Sequence, residues 1–168
     1  HEVVIVDNLA TGKKENIPKG AKFYEVDITQ RVKLKKVFEK EKPEAVFHLA
    51  AQASVQNSIE NPTNDVKVNI IGTINLLENC QQYEVKHFIF SSTGGAIYGE
   101  DASRPTPETA SAEPLTPYGM DKLSAEKYVS FFGKNSSFQP IVLRYANVYG
   151  PKQDPFGEAG VVAIFTDK

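Results

Sequence analysis

Tyr118 and Lys122 stand four residues apart in Tyr118-Gly119-Met120-Asp121-Lys122, at the start of a helical pattern. That spacing puts both side chains on one helix face. A phenol with a pKa of about 10 is a poor base at neutral pH. A neighbouring ammonium stabilises the phenolate, lowers that pKa, and can also hold a ribose hydroxyl. Upstream, Phe90-Ser91-Ser92-Thr93-Gly94-Gly95 ends an apolar strand in hydroxyls and glycines. Phenol, ammonium and hydroxyl together can take the proton from a sugar or alcohol OH while hydride leaves the carbon. Thr93 lies deepest into the loop and is the favoured hydroxyl for orienting the substrate oxygen, with Ser92 as the alternative. A bare Tyr-x-x-x-Lys pair is a common surface arrangement. The hydroxyl cluster and a proline-capped helix start make it a candidate site.

Asp7 is a second candidate, closing the apolar run Val3-Val4-Ile5-Val6. At such a strand end in a dinucleotide fold, a carboxylate accepts hydrogen bonds from the adenosine ribose hydroxyls and disfavours a 2'-phosphate. The glycine-rich turn for the pyrophosphate belongs about 20 residues before that acid. Only six residues precede Asp7, and no G-x-G-x-x-G occurs. His48 lies inside an apolar strand, where a satisfied core histidine is expected, and His87 starts a strand with no evident partner. Three scattered histidines and one cysteine suggest no metal site.

The elements that must position these residues alternate strand and helix. Val3 to Val6, Ala21 to Val26, Ala45 to Leu49, His87 to Phe90 and Pro140 to Tyr145 read as strands, the first continuously apolar as in a buried parallel sheet. A helix capped by Asp27 or Thr29 is expected to bury Val32, Val37 and Phe38 and to stop at Glu41-Lys42-Pro43. After Asn61-Pro62, a long helix recurs at Val66, Ile70, Ile74 and Leu77, with Ile71 and Leu76 on its other face. Thr116 caps a helix with Pro117 in its first turn, running from Tyr118 to Phe132 with Leu123, Lys127 and Phe131 in step. Gly160 to Phe165 opens a last helix. The predicted class is α/β with a mainly parallel sheet.

With 168 residues, 40% hydrophobic and 24% charged, the composition is that of a soluble globular domain. A net charge of -2 offers no basic surface for tracking a nucleic-acid backbone. Cys80 is the single cysteine and sits in an apolar helical pattern, which points to a reducing, cytoplasmic setting and a buried thiol. No apolar run approaches the ~18 residues of a spanning helix.

These residues together resemble the extended short-chain dehydrogenase/reductase family, in the nucleotide-sugar epimerase branch typified by the UDP-glucose 4-epimerases. The resemblance rests on Ser91-Ser92-Thr93 leading to Tyr98-Gly99, on Tyr118-x-x-x-Lys122, and on Arg144-Tyr145-x-Asn147-x-x-Gly150-Pro151. Val4-Ile5-Val6-Asp7-Asn8-Leu9, Phe47-His48-Leu49-Ala50-Ala51 and Asn69-x-x-Gly72-Thr73 extend it over nearly the whole chain. It implies a Rossmann-like doubly wound sheet binding NAD across residues 1–150, with a substrate-binding region opening at 151–168. The first strand and glycine-rich loop of that fold are absent from this chain, so roughly 30 further residues before His1 are expected, with a substantial domain after Lys168. Without them the chain alone is expected neither to hold NAD firmly nor to turn over.

The resemblance assigns roles. Asp7 and Asn8 meet the adenosine ribose, Asp27 and Ile28 the adenine edge, and Leu49, Ala50 and Ala51 line the cofactor's path. Asn69 supports the site from the long helix, and Ser91, Ser92 and Tyr145 complete the cofactor contacts. Thr93, Tyr118 and Lys122 are the implied catalytic set, with Lys122 also gripping the nicotinamide ribose and Asn147 reaching the sugar-nucleotide phosphates. The implied reaction oxidises the sugar at C4, lets the 4-keto sugar rotate, and returns the hydride to its other face, interconverting UDP-glucose and UDP-galactose. Helices near 62–80 and 118–132 are the implied homodimer seam. Gly94-Gly95 stands where the dehydratases carry Asp-Glu, which argues against 4,6-dehydration. Gln52-Ala53-Ser54-Val55 lacks the phosphate lysine of some epimerases. The alternatives are another nucleotide-sugar enzyme (an N-acetylglucosamine or uronate 4-epimerase, or a UDP-glucuronate decarboxylase), an alcohol dehydrogenase that exchanges NAD freely, and a noncatalytic NAD-binding regulator.

Overall fold

The computed structural model describes residues 1–155 and 161–166. Five strands, β1 (Val4–Asp7), β2 (Lys22–Glu25), β3 (Ala45–His48), β4 (His87–Thr93) and β5 (Gln139–Tyr145), alternate with helices. The helices are α1 (Arg31–Glu41), α2 (Val55–Glu60), α3 (Pro62–Val66), α4 (Gly72–Gln82), α5 (Pro117–Asn135) and α6 (Val161–Thr166). Every pairing is parallel, which helical crossovers require. The α/β, Rossmann-like expectation holds. The sheet nevertheless comes in two parts, β1 beside β2 and β3 beside β4 beside β5, and β1 and β3 are not bonded to each other.

Helix packing joins the two parts. Ile28, after β2, is buried in one cluster with Leu34 and Phe38 of α1 and with Leu76, Leu77 and Cys80 of α4. Asn75 Nδ2 donates to the Ile28 carbonyl at 2.9 Å, and Arg31 meets Glu78 at 2.8 Å on the surface above. Across β4, Phe88 and Phe90 pack on Val85, Ala125, Val129 and Phe138. Cys80 is buried as expected, and burial pushes its thiol pKa far above the usual range.

The helices depart from their expected registers in instructive ways. Asp27 does not cap α1: it turns the chain, accepting from Thr29 N at 2.8 Å, and the helix begins at Arg31 after Gln30. Leu34 takes the buried position expected for Val32, which is 71% exposed. Positions 34, 37, 38 and 41 form the stripe because they repeat at three and four residues. A short helix, α2, precedes Asn61-Pro62. The long helix is interrupted by a π-helical turn at Lys67–Ile71, whose extra residue rotates the faces. Asp65, Asn69, Thr73, Leu76 and Leu77 are therefore buried, while Val66 and Ile71 are exposed. Polar side chains tolerate that burial because they bond locally: Thr73 Oγ1 donates to the Asn69 carbonyl at 2.6 Å, and Asn79 Nδ2 to the Asn75 carbonyl at 2.7 Å. In α5 the buried face is Gly119, Lys122, Ala125, Glu126 and Val129, opposite the expected Lys127 and Phe131. Gly160 lies outside the described residues, and α6 begins at Val161.

Candidate active site

Because all the strands run parallel, their C-terminal ends share one edge, the place where ligands bind in open α/β sheets. β4 continues through the hydroxyls: Ser91, Ser92 and Thr93 pair with Leu143, Arg144 and Tyr145 of β5 rather than forming a loop. Alternation along the strand then separates them. Ser92 is buried and donates to Glu126 Oε1 at 2.5 Å, so its hydroxyl points under α5 and not to the site. A contact between Ser92 and a cofactor would have to come from its backbone, and Thr93 is the hydroxyl at the end of the strand. Thr93 ends the strand, and its Oγ1 accepts from Ala96 N at 3.2 Å.

The start of α5 is held against that same turn. Thr116 Oγ1 accepts from Gly119 N at 3.3 Å, and Pro117 occupies the first turn, as expected for a capped helix. A Cβ at Gly119 would strike the Ala96 carbonyl oxygen, so only glycine lets Tyr118 ride this close to the turn carrying Thr93. One helical turn on, Lys122 is only 4% exposed. Its Nζ donates to the Ser91 carbonyl at 2.9 Å and sits 4.9 Å from the Phe90 ring centre and 5.9 Å from that of Tyr118. Burial pulls the Lys122 pKa down to about 8, against the favourable charge of Asp65. The amine thus remains mostly an ammonium at neutral pH, beneath the phenol whose anion it would stabilise.

Glu126, a further turn along, anchors β5. Arg144 grips it with Nε at 2.9 Å on Oε1 and Nη2 at 2.6 Å on Oε2, and bonds the Tyr98 hydroxyl through Nη1 at 2.7 Å. The Glu126 hydrogen bond holds the Arg144 pKa above even its ordinary value. His48 is a core histidine as expected but only half satisfied: Thr73 already donates its proton to Asn69, so His48 Nε2–H donates to Thr73 Oγ1 at 2.8 Å, while Nδ1 is buried without a partner. Burial, then the Lys122 charge, drives the His48 pKa to about 3, so the ring is neutral. Asn69 does not reach the edge itself. It pairs with the Gln52 backbone, accepting from N and donating to O, both at 2.9 Å, and so shapes the turn after Ala51.

The other candidates line the same edge farther along. Leu49 is 67% exposed, beside exposed Ala50 and half-buried Ala51. Asp7 Oδ1 accepts from Leu9 N at 2.7 Å, and a Cβ at Gly12 would lie 3.3 Å from either Asp7 oxygen, so glycine leaves this carboxylate approachable. A cavity of about 180 Å³ opens there between Asp7, Leu9, Gly12, Lys13 and Phe23. Asn8 Nδ2 donates to Asp27 Oδ2 at 2.9 Å, joining the ends of β1 and β2. Burial opposes Asp27's ionisation, but hydrogen bonds from Thr29 and Asn8 outweigh it and hold the pKa below the ordinary value. The Ile28 side chain is in the core, so this residue can meet a ligand only through its backbone. Exposed Tyr145 ends β5, where its carbonyl accepts from Gly94 N at 2.7 Å, and exposed Asn147 follows it. Beyond them, Tyr149, Pro151, Gln153, Val162 and Thr166 border a second cavity of about 460 Å³.

The pattern of spacings did not point to Gln52, Asp65, Asp121, Tyr98 or Glu126. Glu126 left a helical signal, lying one turn after Lys122 on the same face, and Tyr98 stands in a motif that carries the family resemblance.

Known proteins resemble this chain over nearly its whole length. The putative UDP-glucose 4-epimerase of Methanocaldococcus jannaschii is 44% identical over 168 residues, covering 100% of this chain and 55% of that protein. The UDP-glucose 4-epimerase of Thermotoga maritima, solved with UDP-glucose, superposes with a TM-score of 0.96 at 55% identity, over 99% of this chain and 54% of that one. The Thermus thermophilus UDP-glucose 4-epimerase, solved with NAD, gives a TM-score of 0.93 at 50% identity, over 98% and 53%. The chain thus spans about half the length of these relatives. The family model for NAD dependent epimerases and dehydratases matches residues 1–168, and the chain belongs to that family.

Proposed function

We propose that the chain is the NAD-binding part of a UDP-glucose 4-epimerase that interconverts UDP-glucose and UDP-galactose. The observation that carries this is the buried Lys122 ammonium, fixed by the Ser91 carbonyl beneath Tyr118, with the Thr93 turn packed against the start of the same helix. The donor set along the edge suits NAD: the open Asp7 carboxylate for ribose hydroxyls, and exposed Leu49 and Ala50 for the cofactor's path. Asp7 disfavours the 2'-phosphate of NADP by charge. NAD, when bound, would supply a reversible hydride acceptor.

The residues of the chain do the proton work. Thr93 orients the 4-hydroxyl of the sugar, and Tyr118 as phenolate removes its proton. Lys122 keeps Tyr118 anionic and holds the nicotinamide ribose. Once the 4-keto sugar has turned over, Tyr118 returns the proton to the oxygen as the other face is reduced. Asn147 holds the sugar-nucleotide phosphates. Residues 1–150 form the cofactor-binding domain in this reading, and 151–168 open the substrate-binding region around the second cavity.

Two copies pair through 62–80 and 118–132, where Val66, Ile71, Met120, Tyr128 and Phe131 leave apolar surface exposed. Among the described residues no helix is long and apolar enough to cross a membrane, and the unpaired thiol of Cys80 suits the cytoplasm.

The test uses the longest natural polypeptide containing this sequence. UDP-glucose and UDP-galactose should interconvert without added reductant and without net accumulation of reduced nicotinamide. Net accumulation would point to a dehydrogenase. Failure to interconvert with NAD still bound would move the assignment to another nucleotide-sugar, tested next with UDP-N-acetylglucosamine.

A further inference from the structure

Consecutive residues at the end of β4 do three different things. Ser91 offers its carbonyl to Lys122 Nζ at 2.9 Å, Ser92 donates its hydroxyl to Glu126 Oε1 at 2.5 Å, and Thr93 carries the hydroxyl at the strand end. Lys122 and Glu126 lie one turn apart on α5, so helix and strand are tied by two bonds that run in opposite directions. The pairing of β4 with β3 stops at Phe90, and Ser91 stands one residue past it. From the other side, Arg144 is the β5 residue in register with Ser92. It reaches the same carboxylate, with Nε at 2.9 Å on Oε1 and Nη2 at 2.6 Å on Oε2. Its Nη1 donates to the Tyr98 hydroxyl at 2.7 Å, across the turn that begins at Thr93. Ser92, Glu126 and Lys122 are all buried.

We propose that Ser92, Glu126 and Arg144 are positioning residues that fix the Ser91–Ser92 peptide, so that the Ser91 carbonyl holds the Lys122 ammonium in place beneath Tyr118. The proposal rests on the reading of Tyr118 and Lys122 as the proton-transfer pair. The Ser91 carbonyl and the Ser92 Cα belong to one planar peptide unit. Anchoring the Ser92 side chain therefore limits how that carbonyl can tilt, at a point where the pairing with β3 has ended. A lysine side chain is a flexible stem with rotatable donors, and a fixed acceptor gives it one place to sit.

Stability alone does not call for this set of groups. A buried ion pair is often no better for stability than apolar side chains of the same volume. Charge-assisted bonds with a forked guanidinium give direction instead. Glu126 accepts from neighbouring residues of two strands, so its carboxylate is held in one orientation, and the Ser92 hydroxyl with it.

The test uses the longest natural polypeptide containing this sequence. Ser92→Ala removes the tie without changing any charge. It should lower kcat by about tenfold, while KM for UDP-glucose and the affinity for NAD stay within about twofold. A second readout needs no turnover: the ε-ammonium signal of Lys122 in ¹H–¹⁵N NMR, identified by its loss in Lys122→Arg. Its protons should exchange with water about threefold faster or more in Ser92→Ala. Val129→Ala is the control, because Val129 is buried on the same helix one turn past Glu126 and takes no part in the polar tie. It should leave kcat and the Lys122 exchange within about twofold of the parent, since it loosens packing alone. Unchanged kcat or unchanged Lys122 exchange in Ser92→Ala overturns the proposal, as does an equal loss in Val129→Ala. Should Ser92→Ala not fold, Glu126→Gln is read in its place against the same two criteria. If the parent interconverts no UDP-sugar, the reaction assigned above fails, and the Lys122 exchange by itself decides whether Ser92 and Glu126 hold the amine.

Discussion

The two ends of the ligand edge are built on opposite electrostatic plans. At the β3-β4-β5 end, Lys122, Glu126, Asp65 and Asp121 are taken out of water, with Lys122 held by the Ser91 carbonyl, Glu126 by Ser92 and Arg144, and Asp65 by Gln52. At the β1-β2 end, the carboxylates stay open to water: Asp7 is half-buried beside Gly12, and half-buried Asp27 is bonded by exposed Asn8 and by Thr29. Burial multiplies what a charge does to its neighbour's pKa, whereas water screens it. The chemistry of proton transfer therefore sits where shifts are large. The end suited to ribose recognition needs only an open carboxylate.

Substitutions should expose that contrast as a descending series of effects. Tyr118→Phe removes the base at the buried end and should lower kcat by roughly 10²–10⁴-fold, with NAD affinity kept, as read by turnover and calorimetry. Retained turnover would mean that the buried lysine serves structure alone. Glu126→Gln leaves Arg144 half-paired beneath β5 and should cost about 2–3 kcal/mol in urea unfolding. The seam between the two ends provides a paired comparison. Asn75→Ala orphans the buried Ile28 carbonyl and should cost about 1–2 kcal/mol, whereas Arg31→Ala removes a surface ion pair and should cost less than about 0.5 kcal/mol. Equal costs for those last two would dissolve the distinction between buried and solvated ties.

Both plans were unequally visible beforehand. The strands could be read because each is a short apolar run, and the Thr116-Pro117 cap because an N-cap is a local backbone need. Asp7, Tyr118 and Lys122 could be picked out because their roles depend on strand ends and on a four-residue spacing, both of which are local. Helix faces were misjudged where apolarity is a poor guide. In α4 the buried face is rich in Asn and Thr that donate to backbone carbonyls, and the π-helical turn moves the register by a residue.

The sequence by itself determined the α/β class, the order of elements and the residue types at the catalytic edge, since periodicity and capping act over a few residues. Only the tertiary structure decided that Ser92 turns away to Glu126, that Leu34 replaces Val32 in the core, and that Asp65 and Asp121 are buried. Those facts depend on which face of a strand or helix meets another element, and on desolvation. Both arise from packing between residues distant in the chain, which no local pattern records.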